Sequence, residues 1–200
     1  WLSPIGKNPE GAWGLWDKGG VKTKFSGYHG YWPISSVLPD KRLASKESIR
    51  NLLNTAHSRE LNVLLDYVAN HVHLEHPVYK QHPEWATKLY LEDGSINTEQ
   101  WDSHRLTTWF DNHLPTLDLR RPEVVEPMTD SALIWIRDYG FDGFRHDATK
   151  HVDILYWRTL TKKIKNELNH EKRIFQIGET YGSPQLISSY LGSGLLDAQF

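Results

Sequence analysis

Two hundred residues with 23 Lys and Arg against 25 Asp and Glu leave a formal net charge of −2, without the basic footprint of a nucleic-acid binder or an anionic-membrane binder. A quarter of the chain is Leu, Ile, Val or Phe, too much for disorder, and apolar runs such as Ala132–Ile136 are too short for a membrane span. The absence of cysteine excludes disulfides, thiolate metal sites and cysteine nucleophiles. With 9 Trp, 9 Tyr and 11 His, the chain is instead rich in rings with polar tips.

The chain opens on Trp1-Leu2-Ser3-Pro4-Ile5 and closes on the apolar stretch Leu195–Phe200. Natural termini are usually polar and frayed, so a segment of a longer protein is expected. Gly and Pro cluster from Gly6 to Pro39, which reads as loop carrying many aromatics. Ser45 to Leu61 reads as a helix, with Ser45 as N-cap and Ile49, Leu52, Leu53 and Ala56 at helical spacing. Val63 to Ala69 is a continuous apolar run typical of a buried parallel strand. From Val72 to about Arg121 the pattern turns polar and rich in His and Trp, too long for a structureless loop, and a small inserted subdomain is expected.

Regularity returns at Glu123–Tyr139, a helix with Val124, Met128, Trp135 and Tyr139 on one stripe and Gly140 just past its end. Phe141–Asp147 is the next strand, followed by a helix from about Val152 to Asn169, a strand at Arg173–Glu179 and a short helix at Pro184–Leu191. This alternation predicts βα units on a parallel sheet, as either a (β/α)8 barrel or an open doubly wound sheet. No Gly-rich phosphate turn follows a strand, which disfavours the nucleotide-binding version. A complete barrel takes roughly 250 residues or more, so this chain supplies part of one.

Polar residues collect where the predicted strands end: Asp66, Asn70 and His71 on the first, Arg145 and Asp147 on the second, Glu179 on the third. Ligands of parallel α/β folds bind at those ends. Arg145 and Asp147, two apart, share a strand face where a guanidinium holds a carboxylate ionised. Strands about 4.8 Å apart bring two carboxylates near the roughly 5–5.5 Å separation used by retaining glycosidases. Plainer roles stand beside these. Arg145 and Asp147 make a structural ion pair, Glu179 a helix-entry carboxylate, and Asp66 a hydrogen-bonding tie between loops. His71 and His73 have a spacing that also suits a divalent metal, which keeps a metal-dependent barrel hydrolase open. Tyr28, Tyr31 and Trp32 serve either loop packing or the stacking of sugar rings.

Taken together, the motifs resemble those of the α-amylase family of glycoside hydrolases, family thirteen. Asp66-Tyr67-Val68-Ala69-Asn70-His71 is similar to that family's first motif, Gly143–His151 to its second and Gly178-Glu179 to its third. Gly27–Pro33 resembles the aromatic motif after the second barrel strand, and Leu114-Pro115-Thr116-Leu117-Asp118 the short motif near the end of the inserted domain. The resemblance implies an α/β fold: a partial (β/α)8 TIM barrel of about strands two to six, formed by residues 1–71 and 122–200. Residues 72–121 would be a subdomain inserted after the third strand. It implies Asp147 as nucleophile, Glu179 as general acid/base and Arg145 as the residue orienting Asp147. Tyr31, Trp32, His71, Lys150 and His151 would bind an α-glucan or maltooligosaccharide, with Tyr31 stacking and Lys150 and His151 on the leaving-group side.

The implied reaction is retaining hydrolysis of α-glucosidic bonds, or glycosyl transfer through the same covalent intermediate, and it needs no cofactor. A relative that binds sugar without chemistry is disfavoured by the presence of Arg145, Asp147 and Glu179 together. The family's third catalytic carboxylate follows a later strand than this chain reaches. Many members also hold calcium where the inserted domain meets the barrel, through the equivalents of Asn70, the His151 carbonyl and insert carboxylates. Here Thr116 stands where many of them have aspartate, and Asp111 or Asp118 would substitute only with a rerouted backbone. The expectation is therefore that this site is empty and that Asn70 is satisfied by protein or water hydrogen bonds.

Overall fold

The computed structural model describes residues 1–168 and 172–200. Its first regular element lies inside the stretch expected to be loop. Strand β1 (Trp13–Lys18) pairs antiparallel with β2 (Val21–Phe25) across Gly19-Gly20. Both glycines have positive φ, 61° and 77°, as the tight turns that match strand twist require. Gly-Gly between two β-prone runs was the signal for this hairpin. Helix α1 (Lys46–His57) begins where expected, because the Ser45 hydroxyl accepts from Ser48 N and the Ser48 hydroxyl accepts from Ser45 N, a reciprocal cap. Ile49 and Leu53 are buried beneath it, whereas Leu52, expected on the same stripe, lies beyond its width and is exposed.

Strand β3 (Leu64–Tyr67) follows. Residues 72–121 then fold through α2 (Pro77–Gln81), a single turn at Pro83–Trp85 and short bridges such as His71 with Thr116 and Ala86 with Leu117. Leu117 and Leu119 join the main core. Helix α3 (Pro122–Ile134) runs on into a widened turn, Trp135–Tyr139, and stops at Gly140 in the left-handed region (φ 100°). The expected stripe of Val124, Met128, Trp135 and Tyr139 is buried throughout. Next come β4 (Gly143–His146), a turn at Thr149–His151, α4 (Ile154–Glu167), β5 (Phe175–Gly178), α5 (Pro184–Ser188) and β6 (Ala198–Gln199). The expected end of α4 at Asn169 lies outside the described residues.

Strands β3, β4, β5 and β6 form one parallel sheet in that order, and Leu2 bridges Leu65 in parallel along the outer edge of β3. The protein is therefore an α/β fold with a parallel sheet, and every residue of β4 is buried, Arg145 and His146 included. Gly143 (φ 152°) is obligatory at the start of β4, since a Cβ there would lie 1.8 Å from the Phe175 carbonyl oxygen. Register places Asp66 beside Arg145 and Tyr67 beside His146, which in turn pairs with Gly178. The residues that follow these positions emerge together at the carboxyl edge of the sheet. Among the described residues no helix is long and apolar enough to cross a membrane.

Candidate active site

The ladder continues one step past the strands. Asp147 N donates to Tyr67 O (3.1 Å), Glu179 N to His146 O (2.9 Å) and Thr149 N to Glu179 O (2.9 Å). Asp147 and Glu179 are thus fixed by main-chain bonds before any side chain is considered. Gly178 allows this closeness, because a Cβ would meet Thr149 Oγ1 and Gln199 Nε2 at 2.5 Å.

Arg145 joins the three strand ends. Its Nη1 donates to Asp66 Oδ1 (2.7 Å) and Asp147 Oδ1 (2.9 Å), and its Nη2 pairs with Glu179 Oε2 (2.9 Å). Asp66 also accepts from the Tyr31 hydroxyl on Oδ2 (2.9 Å), which is the tie between loops that the sequence allowed. Glu179 Oε2 accepts in addition from Ala148 N at 3.2 Å. To present that N–H, Ala148 takes a left-handed backbone (φ 49°), a strain typical of functional sites.

One cation therefore serves three carboxyl groups, and the electrostatics differ from the simple pair expected. The Asp147 side chain is only 13% exposed. Burial pushes its carboxyl from an ordinary value of 3.8 up to about 7, with Glu179 and Asp66 adding to the push and Arg145 opposing it. The guanidinium does not hold Asp147 ionised below neutral pH, because the cost of burying the carboxylate outweighs its pull. Burial also raises Asp66 against the pull of Arg145. Glu179 is the open member, 42% exposed.

Beside this cluster lies a cleft of about 370 Å³ lined by Trp101, Asp102, Phe110, Lys150, His151, Glu179 and Tyr181, among others. Lys150 reaches Asp102 (2.9 Å) and His151 Nδ1 faces the Arg105 carbonyl (2.8 Å). Tyr181, 89% exposed, stands two residues after Glu179. Sequence reasoning missed Trp101, Phe110 and Tyr181. The available signal was aromatic side chains in a polar excursion and directly after a strand-end carboxylate.

The structure brings Asp147, Glu179, Arg145 and Tyr31 together and sets Lys150 and His151 on the cleft wall. Two expected sugar contacts are placed differently. Trp32 is 9% exposed, its indole packed edge-on against His113 (4.4 Å) and His29 (4.9 Å). His71 is buried, with Nε2 on the Tyr31 carbonyl (3.0 Å), Nδ1 facing Asn70 Nδ2 (3.4 Å) and its ring against Phe110. Burial lowers its pKa to about 4, so the ring is neutral near pH 7.

The donor set around Asn70 is poor for calcium. Asn70 Nδ2 faces Thr116 Oγ1 (3.5 Å), whose own hydroxyl donates to Thr108 O (2.7 Å). Asn70 Oδ1 is buried without a protein partner, so protein bonds satisfy only half of this side chain. Asp111 faces His113 and Asn112 N, and Asp118 is taken by Arg120. Neutral oxygens alone do not fit calcium, which takes six to eight oxygen ligands with carboxylates prominent among them. His71 and His73 do not converge as metal ligands either: His73 Nδ1 accepts from Glu75 N, and among the described residues no group of three His, Asp or Glu side chains is suited to a metal.

A parallel sheet whose strand-end carboxylates are gathered on one arginine defines the class of the fold and site. The family model for the alpha amylase catalytic domain matches residues 1–199, and the chain belongs to that family. It is 26% identical over 98% of its length to Alpha-amylase 2 of Dictyoglomus thermophilum. Its fold superimposes on the alpha-amylase of Geobacillus thermoleovorans in complex with acarbose, with a TM-score of 0.77 and 30% identity over the whole of this chain and 40% of that one. An Anoxybacillus alpha-amylase gives 0.76 and 27% over the whole of this chain and 39% of that one. The chain spans about a third of the curated relative it matches, 31%.

Proposed function

We propose that the full-length protein is a retaining glycosidase acting on α-glucosidic bonds of starch-like glucans or maltooligosaccharides. The observation that carries this is the Arg145 fork, which holds Asp147 on one nitrogen and Glu179 on the other beside an aromatic cleft. The sheet is read as an arc of a (β/α)8 barrel, about strands two to six, built from residues 1–71 and 122–200. Residues 72–121 form the inserted subdomain that walls the cleft. The strand order β3-β4-β5-β6, with Leu2 beside Leu65, supports that reading.

The chemistry needs a proton on Glu179 and an anion at Asp147. Arg145 Nη1 supports the Asp147 anion against the push of burial. The Asp147 carboxylate bonds to C1 as the glycosidic C–O bond breaks, and the departing oxygen takes the Glu179 proton. Water then gives its proton to Glu179 and its oxygen to C1, releasing Asp147. A sugar hydroxyl arriving in place of water gives transfer by the same intermediate. No metal takes part in either step, and Asn70 Oδ1 is left to water. In the full-length protein, Asp147→Asn and Glu179→Gln should each lower turnover of maltooligosaccharides by several orders of magnitude while the chain stays folded, with α product first released by the wild type on NMR. An inverted first product would sink the covalent route, and near-normal activity in either variant would sink the site.

A further inference from the structure

Arg105 is half-buried in the 72–121 segment and makes no ion pair among the described residues. Its charge goes to neutral oxygens. Nη1 donates to the Lys150 carbonyl (2.7 Å) and to the Tyr190 hydroxyl oxygen (3.0 Å), and the buried Tyr190 hydroxyl itself donates to the Lys150 carbonyl (3.2 Å). The Arg105 carbonyl in turn faces His151 Nδ1 at 2.8 Å. One residue therefore grips both members of the Lys150-His151 pair across 45 positions of sequence.

Each grip has a chemical consequence. A carbonyl facing Nδ1 requires the proton there, so His151 presents Nε2 to the cleft as an acceptor for a hydroxyl. A charge-assisted bond to the Lys150 carbonyl fixes the turn Thr149–His151, from which the Lys150 ammonium reaches Asp102 over the same cleft. A guanidinium reaches the Lys150 carbonyl and the Tyr190 oxygen from one nitrogen in a fixed plane, which the point charge of a lysine on a flexible stem reproduces only in part.

We propose that Arg105 is a positioning residue for the sugar on the leaving-group side of the cleft, acting through Lys150 and His151; this rests on the glycosidase reading above. The bond-breaking carboxylates are also held by the strand ladder, through Asp147 N on Tyr67 O and Glu179 N on His146 O, which Arg105 does not touch. Loss of Arg105 should therefore weaken the hold on a departing sugar and spare substrates that leave as something else.

The test compares two substrates in the full-length protein: a maltooligosaccharide, whose leaving group is a sugar, and an aryl α-maltoside, whose leaving group is a phenolate. Arg105→Met should raise KM for the oligosaccharide about tenfold with little change in kcat, and leave the aryl maltoside within about twofold. Arg105→Lys should show the same split at smaller size, and free guanidinium ion should partly restore oligosaccharide binding in Arg105→Met. If Arg105→Met does not fold, the split in Arg105→Lys decides the question. An equal loss on both substrates, or no loss on either, would overturn the assignment while leaving the glycosidase reading intact. A wild type that turns over neither substrate would sink both.

Discussion

The carboxylate cluster and the cleft wall beside it are built by opposite means. Asp66, Asp147 and Glu179 hang from a parallel ladder whose bonds continue past the strands, so their spacing is set by register. Trp101, Asp102, Arg105 and Phe110 come from a segment with little regular structure, tied across by a few side-chain bonds. The carboxylates thus sit on the part of the molecule that is hardest to deform, and the proposed sugar-binding wall on the part that is easiest to vary. The Arg145 guanidinium crosses between strands and shares its charge three ways, whereas Arg105 crosses from the wall and gives its charge to a carbonyl.

The sharpest way to break this comparison is Arg145→Lys. A lysine has one nitrogen for three carboxyls, so kcat should fall by about 10²–10³-fold while far-UV circular dichroism is unchanged. A loss below tenfold would mean that main-chain register alone organises the dyad. The next effect is on pH. Asp147 loses its proton as pH rises through about 7, and only the carboxylate can attack C1, so kcat/KM should rise with pH up to near that value. Asp66→Asn removes one neighbouring anion, which lowers the pKa of Asp147, and this acid limb should move to lower pH.

The same shift has a stability consequence. Folded Asp147 holds a proton that it releases near 3.8 when unfolded. This contribution favours the fold at acid pH and is lost as pH climbs from about 4 to about 7. Titrating Tm and the pH–rate profile in parallel checks both signs, and an acid limb that does not move in Asp66→Asn would refute the coupling of Asp66 to Asp147. The smallest expected effect concerns the wall. With neutral donors around Asn70 and Arg105 acting on the Lys150 carbonyl, EDTA should leave Tm and activity of the full-length protein unchanged. A chelator-induced drop reversed by calcium would show that a metal helps hold the wall.

What was legible in the sequence follows the same division. Asp66, Arg145, Asp147 and Glu179 could be read because a buried apolar run fixes a strand, and the end of a parallel strand fixes where its polar residue emerges. The helices α1, α3 and α4 declared themselves by stripe, the first two also by an end signal at Ser45 and at Gly140. The hairpin β1–β2 did not, because its residues alternate weakly and β2 is exposed throughout. Trp32 was read as a sugar contact from the aromatic character of its loop and His71 from the family resemblance, and neither says how deeply a ring is buried. Arg105 and Tyr181 carry no local pattern, since what they do depends on partners brought close only by the fold. The division of Arg145 among three groups was hidden for the same reason, as was the depth of burial that reversed the expected sign at Asp147.

The backbone of Ala148 limits which residues this position accepts. Its left-handed conformation, adopted so that its N–H meets Glu179, is closed to β-branched side chains and easy only for glycine, asparagine or aspartate. The last two would put polar groups beside the carboxylate dyad. Variation aimed at reshaping the cleft therefore has a usable alphabet at Trp101, Asp102 and Tyr181, and almost none at the residue between the nucleophile and the turn that follows it.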